Sequence, residues 1–280
     1  MMYPILIDFG RFKLHSYGLM LFLAFAVGIY IAYRRGRRAG LAEGLVLDIS
    51  TAVIISGLIG ARALYVLTHL NEFRGRWIDI ISPIQSDGSI GYAGLVLLGG
   101  VLFALATSLF IAWLRDAPLL KLLDVFAPSI ALGVGIGRIG CFLNGCCFGL
   151  PTKLPWGMVF PAGTPAGSVF PHQHIHPTQL YASIYGFALF AVLLLLERRY
   201  KKFEGYTFSL LLIGYGLLRF LNEMIRWYEP GFRVLEYHGR VFTLSQAISL
   251  ALVLSGIVLY RYAGRLPSGG SGSPRPRSEE

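Results

Sequence analysis

Residues 129–149 read SIALGVGIGRIGCFLNGCCFG and contain a single charged side chain, Arg138. A helix of about 20 predominantly apolar residues is long enough to cross the ~30 Å hydrocarbon core of a bilayer. The glycines also allow a break in that helix, which is tolerated at membrane depth only where the backbone is buried in protein or lines a cavity. This stretch therefore predicts a membrane span that holds a guanidinium group.

The rest of the chain has the same apolar character. Of its 280 residues, 55% are hydrophobic and only 14% are charged, whereas about 25% are charged in ordinary soluble domains. The apolar content also excludes a disordered chain. Seven apolar stretches are long enough to span a bilayer as helices. They cover approximately residues 16–33, 46–68, 90–114, 122–148, 179–196, 206–225 and 241–260.

The basic residues predict how these spans are oriented. Of the 25 Lys and Arg, fourteen lie in one set of connections and in the C-terminal tail, eight lie in the opposite set, and three lie within spans. The positive-inside rule places the richer set in the cytoplasm, so the N-terminus is outside and the C-terminus inside. The net charge of +10 is then mostly a topological signal, and we predict no nucleic-acid partner. We expect an all-α polytopic membrane protein with seven transmembrane helices.

Long connections on the outer side predict a small periplasmic or extracellular head. Its segments are approximately residues 69–89, 149–178 and 226–240. Each contains a tryptophan, which is typical of a membrane interface. We expect residues 1–266 to form one transmembrane domain that carries this head, and the Ser-, Gly- and Pro-rich residues 267–280 to form a disordered tail.

The three arginines inside the predicted spans are Arg62, Arg138 and Arg219. An arginine in the middle of a span costs at least ~2.5 kcal/mol, so it normally faces a cavity or a partner. A guanidinium binds phosphate through a planar fork and stays charged, and the abundant phosphate of a bilayer is the phospholipid head group. We therefore predict that Arg138 and Arg219 bind a phospholipid, while a structural pairing fits Arg62 equally well. The glycines around Arg138 fit either tight helix packing or the close approach of a lipid.

Polar residues near Arg219 and at the start of the fifth span are further candidates. Glu223 lies four residues after Arg219, on the same helix face, where it orients the guanidinium or acts as a base. As a buried neighbour of arginines it is expected to stay ionised. The string HPTQLY places His176, Gln179 and Tyr181 within one turn at the outer interface, although a proline there is also ordinary for a helix start.

Three cysteines, Cys141, Cys146 and Cys147, lie in CFLNGCC at the outer end of the fourth span. The simplest interpretation is that they are small buried residues. A disulfide, a nucleophilic thiol, and a zinc site completed by the histidines of HQHIH (residues 172–176) are the alternatives. Because the CxxC spacing typical of zinc ligands is absent, we predict no metal and no cofactor.

Six segments, in order along the chain, resemble the prolipoprotein diacylglyceryl transferase family. They are SYGLM (16–20), GARALYV (60–66), GRIGCFLNGCCFG (137–149), PTKLPWGMVFP (151–161), HPTQLY (176–181) and LIGYGLLRFLNE (212–223). The resemblance implies a multi-pass enzyme of the bacterial inner membrane. Such an enzyme transfers the diacylglyceryl group of phosphatidylglycerol to the lipobox cysteine thiol of a preprolipoprotein signal peptide, which forms a thioether and releases glycerol phosphate.

The resemblance also implies roles for individual residues. Arg138 and Arg219 match two essential arginines of the family, which are suited to stabilise the negative charge that grows on the leaving phosphate. Tyr17 is the third catalytic candidate. The candidates for substrate binding are Arg62, Gly99, Gly100, Asn144, Gly149, His176, Gln179, Tyr181, Tyr215 and Glu223.

Three positions depart from the family pattern. Leu98 stands where the HGGL motif has a histidine, and Cys141 and Cys146 replace an asparagine and an acidic residue. Because leucine cannot accept a proton, activation of the acceptor thiol would fall to water, His69 or Tyr92. The departures keep two alternatives open: a related phospholipid-dependent transferase with a different acceptor, and a non-catalytic phospholipid-binding or lipid-moving membrane protein.

Overall fold

The computed structural model describes residues 4–8, 13–75, 77–80, 96–228, 233–237 and 240–266. Its helices are α1 (Ser16–Arg38), α2 (Leu45–Thr68), α3 (Leu97–Leu114), α4 (Leu119–Asn144), α5 (Pro165–Val169), α6 (Thr178–Tyr200), α7 (Tyr206–Glu223) and α8 (Leu244–Ala263). Short 3₁₀ turns follow α2 at Leu70–Phe73 and Trp77–Ile80. Each predicted apolar stretch thus contains one long helix. The predicted tail, residues 267–280, lies outside the described residues. Residues 81–89 of the first predicted head segment lie outside them as well.

Five helices, α1, α2, α4, α6 and α8, are long and apolar enough to cross a membrane. Helix α3 is also apolar over Leu98–Leu114, but it is shorter than these five. Helix α7 is less apolar because polar residues occupy its last turns. Large apolar side chains such as Phe22, Ile184 and Val258 are each 66% exposed on the outside of these helices. Long helices with apolar outer faces are typical of a polytopic membrane protein.

The expectation of an all-α fold is wrong in one respect, because two small antiparallel sheets are present. β1 (Ile5–Asp8) pairs with β2 (Lys13–His15) before α1, and β3 (Arg233–Tyr237) pairs with β4 (Arg240–Thr243) before α8. These strands are too short to show the alternation of apolar and polar residues by which a strand is recognised in a sequence. The fold is therefore mostly helical, with a strand pair leading into each of the two helices.

Helix α4 is the centre of the bundle, since it packs against α1, α6 and α7. It continues through Pro128 and all of its glycines to Asn144, so the break that the glycines allowed is absent. The helix ends at Gly145, whose φ of +70° lies in the left-handed region. Glycine adopts this conformation without steric penalty and commonly follows a helix.

The glycines of α4 divide between helix packing and open space. A Cβ atom at Gly135 would lie 2.9 Å from a ring carbon of α6, and one at Gly140 would lie 2.9 Å from a side-chain carbon of α1. The same position at Gly133 and at Gly137 has no described atom within 4 Å. Both uses that the sequence allowed are therefore present, at different glycines of one helix.

A buried carboxylate connects the start of α7 to α4. Asp124, which is 1% exposed, accepts hydrogen bonds from the backbone N–H groups of Gly205 and Phe208, both at 2.9 Å. The Lys201 ammonium lies 2.9 Å from the same carboxylate. Since the residue before α7 is Gly205, which has no side chain to cap the helix, Asp124 supplies the capping oxygens from a neighbouring helix.

We expect Asp124→Ala to lower the free energy of unfolding by about 2–3 kcal/mol, because it leaves buried N–H groups and an ammonium without a partner. Thermal unfolding of the purified protein in detergent measures this loss. Asp48→Ala is the matched control: Asp48 pairs with Arg115 at 2.9 Å, but both side chains are about half exposed, and such pairs contribute at most about 1 kcal/mol. Equal effects of the two substitutions would contradict the capping role of Asp124.

Candidate functional site

Arg138 lies on α4 and forms no ion pair with any described residue. Its electrostatic neighbours are Tyr185 of α6, Tyr215 of α7 and the thiols of Cys141 and Cys147. Within the described part of the chain, Arg138 makes no hydrogen bond and no ion pair. Because removing a charge from water is costly unless it is paired, such a guanidinium is suited to meet an anion that the protein itself does not provide.

Tyr185 lies near both Arg138 and Arg219. The Tyr185 hydroxyl is buried, has no hydrogen-bond partner among the described residues, and has both Arg138 and Arg219 as charged neighbours. Its ring meets the Tyr215 ring edge-on, with the centroids 6.4 Å apart. Tyr17 of α1 also has Arg138 as a neighbour. Arg138 thus has Tyr17 and Tyr185 as neighbours, and Tyr185, which the sequence did not single out, is also a neighbour of Arg219.

A single carboxylate serves two arginines at the end of α7. Glu223 is fully buried, forms an ion pair with Nη2 of Arg219, and lies 3.2 Å from Nη1 of Arg226. It also accepts a hydrogen bond from the Tyr228 hydroxyl. Nη1 of Arg219 and Nε of Arg226 are buried and find no hydrogen-bond partner within the described ranges of the chain. The group thus keeps an excess positive charge and unsatisfied N–H donors.

Arg226 is a charged residue of this group that the sequence placed only in the outer head. Burial opposes its charged form, but the neighbouring Cys147, Tyr228 and Glu223 raise the pKa of Arg226. Arg226 lies three residues after Glu223, but α7 ends at Glu223. Helical spacing in the sequence therefore does not place Arg226 beside that carboxylate.

Backbone pairing explains why the chain after α7 stays close to the end of α4. The N–H of Leu150 donates to the carbonyl of Ile225 at 2.9 Å, and the N–H of Trp227 donates to the carbonyl of Phe148 at 3.1 Å. The rings of Phe148 and Trp227 stack with centroids 5.2 Å apart. Two of the predicted head segments, 149–178 and 226–240, therefore meet here, and Arg226 is held between the paired residues.

The three cysteines converge at the end of α4. Their Sγ atoms all lie within 4.8 Å of one another, and all three thiols are free. The turn at Gly145 brings the chain back on itself, because the N–H of Cys146 donates to the carbonyl of Cys141 at 3.1 Å. The sequence alone did not indicate that the three thiols share one place.

Side chains from the start of α6 hold this loop. The Gln179 amide donates to the carbonyl of Cys146, and the Thr178 hydroxyl donates to the carbonyl of Cys147, both at 2.8 Å. Gln179 is fully buried. Among the predicted site residues, Gln179 and Asn144, the last residue of α4, thus lie at the cysteine loop.

Gly149, His176 and Tyr181 form a second set of contacts between this loop and α6. The N–H of Gly149 donates to the carbonyl of His176 at 3.0 Å, and a Cβ atom at Gly149 would lie 2.6 Å from Cβ of His176. The Tyr181 hydroxyl accepts the indole N–H of Trp156 at 2.8 Å and lies 3.3 Å from Nδ1 of His176. Only glycine fits the first contact, so the loop after α4 packs closely against the residues that precede α6.

The remaining candidates lie on α2 and α3. Arg62 is buried and donates to the carbonyls of Ile80 at 3.1 Å and Asp79 at 2.5 Å. A Cβ atom at Gly99 would overlap Gly60 of α2, and one at Gly100 would lie 2.9 Å from a carbonyl oxygen of α2. These contacts anchor a loop and bring two helices close together. They are not contacts with the arginines of α4 and α7.

Of the groups relevant to thiol activation, Leu98 and His69 lie on α3 and at the end of α2. Leu98 is half exposed on α3. His69 stacks on Tyr65, with centroids 4.3 Å apart, and its Nδ1 lies 3.1 Å from the Tyr65 carbonyl. Tyr92 lies outside the described residues. The described contacts of His69 thus keep its ring against α2.

The fold and this group of residues define a polytopic membrane protein with clustered guanidinium groups at one end of its helix bundle. The chain belongs to the prolipoprotein diacylglyceryl transferase family, because the model of that family matches residues 4–262. The resemblance inferred from six segments is thereby confirmed over nearly the whole chain.

Three relatives, each named phosphatidylglycerol–prolipoprotein diacylglyceryl transferase, agree with this assignment. The chain is 32% identical to that of Clostridium tetani over 259 residues, which cover 92% of this chain and 97% of the relative. It is 31% identical to that of Finegoldia magna over 243 residues, with 87% and 88% covered. It is 35% identical to that of Parasynechococcus marenigrum over 228 residues, with 80% of each chain covered.

The stability of the head is expected to depend on pH through His176. Burial lowers the pKa of His176 from 6.5, so protonation favours the unfolded chain. The stabilisation is present above about pH 6.5 and is lost as the pH falls through the lowered value. We expect the melting temperature to fall between about pH 7.5 and pH 5.5, and His176→Asn to reduce this slope. His172→Asn, at an exposed ring, is the control that keeps the slope; an unchanged slope in His176→Asn contradicts the prediction.

Proposed function

We propose that this chain transfers the diacylglyceryl group of phosphatidylglycerol to the lipobox cysteine thiol of a preprolipoprotein, as the names of its relatives indicate, and that it does so in the bacterial inner membrane. The observation that carries the proposal is a pair of arginines that share Tyr185 as a neighbour. Among the described residues, the guanidinium of Arg138 makes no ion pair and Nη1 of Arg219 is buried without a hydrogen-bond partner. Donors of this kind require an anion, and a membrane offers the phosphate of a phospholipid.

In the proposed reaction, negative charge develops on the phosphate that the two arginines bind. The acceptor thiol loses its proton to water, and its sulfur attacks the carbon of the diacylglyceryl unit that is bonded to the phosphate oxygen. A C–S bond forms and that C–O bond breaks. The electron pair leaves on the phosphate oxygen as glycerol phosphate. Guanidinium groups that are fixed in advance stabilise this growing negative charge more than they stabilise the bound lipid, which is the condition for catalysis. The Glu223 ion pair orients Arg219, while Arg138 remains free to bind the phosphate.

The remaining candidate residues are assigned to the two substrates. Tyr17 and Tyr215, both neighbours of Arg138, flank the phosphate. The open face of α4 at Gly133 and Gly137 admits the lipid to Arg138. Asn144, Gly149, His176, Gln179 and Tyr181 form the rim at which a signal peptide approaches. Arg62, Gly99 and Gly100 support the bundle on the α2–α3 side.

We further propose that all seven long helices span the membrane, with the N-terminus outside and the C-terminus in the cytoplasm. In an alternating arrangement, the C-terminal ends of α1, α3, α6 and α8 lie on the same side. The last turns of α1, α6 and α8 carry basic residues, as the positive-inside rule requires of a cytoplasmic side. The arginine group is then at the outer side, where the cysteine of a secreted preprotein becomes accessible.

Arg138→Gln is expected to lower kcat/KM by about 10²–10³-fold, because one such donor to a transition-state oxyanion contributes that much. The measurement is the transfer of labelled diacylglyceryl from phosphatidylglycerol to a lipobox peptide by the purified protein in detergent. Arg34→Gln is the matched control. Arg34 is exposed near the C-terminal end of α1, far along the helix from Tyr17, and donates a hydrogen bond to Tyr30. The Arg34→Gln variant should keep full activity.

Three results separate this proposal from its alternatives. The proposal is supported if the wild type labels the peptide and the Arg138→Gln variant does not. A new lipid product without labelled peptide indicates a different acceptor. Lipid binding that requires Arg138, without any product from folded protein, indicates a non-catalytic lipid-binding protein; either of the last two results contradicts the proposal.

Gly137→Leu is expected to lower transfer at least about tenfold without lowering the melting temperature, because the side chain fills the open face beside Arg138 and displaces the lipid. Gly135→Leu is the contrasting variant: its side chain meets the α6 ring at 2.9 Å, so we expect a lower melting temperature. Parallel measurements of activity and thermal unfolding distinguish them. Wild-type activity in Gly137→Leu would show that the lipid does not approach along this face.

A further inference from the structure

We propose that Cys141, Cys146 and Cys147 bind one zinc ion through three thiolates, and that the fourth coordination position takes the thiol of the acceptor cysteine. The inference rests on the proposed function, since it supplies the activation of the thiol that Leu98 cannot provide. It departs from the sequence-based prediction of no metal, which followed from the absence of CxxC spacing.

The distances among the three sulfur atoms suit a zinc ion. All three Sγ atoms lie within 4.8 Å of one another. A tetrahedral zinc ion with Zn–S bonds of about 2.3 Å places its sulfur ligands about 3.8 Å apart, so movements of about 1 Å complete the set. The C-x₄-C-C spacing achieves this because the chain reverses at Gly145, after the last turn of α4.

The loop that carries two of the ligands is held in place before any ion binds. Its carbonyl oxygens at Cys146 and Cys147 are fixed by Gln179 and Thr178, both of which are buried. Cys147 has a φ of +61°, a left-handed conformation that is unfavourable for a residue other than glycine. Its backbone is therefore held in a conformation that cysteine does not favour.

The fourth coordination position is available to a substrate. Among the described residues, no histidine, aspartate or glutamate joins the three thiols. Cys141 is buried, whereas Cys146 and Cys147 are partly exposed, so the cluster is reached from the outer end of the bundle. Catalytic zinc sites have three protein ligands and an open position, whereas structural sites use four protein ligands.

The surrounding charges match a thiolate-bound zinc. Three thiolates and one divalent cation carry one net negative charge, and a fourth thiolate adds another. Arg138 and Arg226 each have Cys147 among their electrostatic neighbours. The cluster therefore lies in a positively charged environment, which favours thiolates over neutral thiols.

The proposed step needs no oxidant or reductant. The acceptor thiol binds the zinc ion and loses its proton to water, since a coordinating thiol is deprotonated by the metal. Its sulfur then attacks the glycerol carbon, and the C–O bond breaks with its electron pair on the phosphate oxygen. The product is a neutral thioether, which is a weaker ligand for zinc than a thiolate, so the modified peptide can leave.

The first test is the metal content and cobalt spectrum of the full-length protein purified in detergent. We expect about one zinc per chain, and after replacement by Co²⁺ the absorption of cobalt–thiolate bonds. Because the chain contains only three cysteines, this absorption reports on the cluster alone. Cys147→Ser should lose the metal, and His172→Ala, at the exposed HQHIH segment, should keep it. Folded wild-type protein that neither retains zinc nor binds added Co²⁺ would overturn the proposal.

The second test asks whether the acceptor thiol is the fourth ligand. A lipobox peptide should change the cobalt spectrum, and the same peptide with serine in place of its cysteine should not. Removal of zinc by a chelator should lower transfer by about 10²-fold or more, and added zinc should restore it. An unchanged spectrum with the cysteine peptide overturns the proposed fourth ligand.

The activity measurement keeps the two proposals distinguishable. If metal-free protein transfers diacylglyceryl at the full rate while Arg138→Gln does not, the zinc inference is wrong and the transferase function stands. If zinc-loaded wild type gives no transfer, the transferase function fails. The cobalt spectrum then still decides whether the three thiols bind a metal.

Discussion

A guanidinium group inside an apolar helix cannot lose its proton, so it needs either an anion or water. Arg138 has neither a carboxylate nor a hydrogen-bond acceptor from the described residues, although it lies on the most enclosed helix of the bundle. Much of the arrangement around it follows from this requirement. Tyrosines from α1, α6 and α7 surround the cation, while two glycines of α4 keep one side of the helix open.

The charged side chains at the two ends of α4 differ in how completely they are paired. At its start, Asp124 and Glu197 are each paired, Asp124 with Lys201 and Glu197 with Arg35 at 2.7 Å and with Lys201. These two acids and two bases form a network with equal positive and negative charge, and the network connects the ends of neighbouring helices. At the other end, Glu223 is the acid that pairs with Arg219 and Arg226 within the described residues, and Arg138 pairs with none of the described acids. Excess positive charge is costly in a protein interior, and such a cost is typical of sites that bind an anionic ligand.

Much of the fold was accessible from the sequence because long apolar helices have a strong signal. The seven stretches each contain a helix, and the end of α4 differs from its predicted position by only a few residues. The two small sheets were missed, since strands of three to five residues carry little periodicity. The buried cap formed by Asp124 was missed as well, because its partners, Gly205 and Phe208, are backbone groups far away in the sequence.

The site was predictable where one residue alone is unusual. An arginine in an apolar stretch stands out, so Arg138 and Arg219 were found. Arg226 was not, because it follows the apolar stretch and resembles an ordinary loop cation until the backbone pairing of Phe148 and Trp227 places it beside Glu223. The three cysteines were visible, but their convergence depends on the reversal of the chain at Gly145, which brings the three thiols into a compact cluster.

The most direct test of the central claim is an experimental structure of the protein in a nanodisc that contains phosphatidylglycerol. We predict a lipid phosphate within hydrogen-bond distance, about 2.7–2.9 Å, of both the Arg138 and the Arg219 guanidinium groups, with the acyl chains leaving past Gly133 and Gly137. A structure in which Arg138 pairs with a protein carboxylate, and in which lipid phosphate lies elsewhere, would contradict this claim.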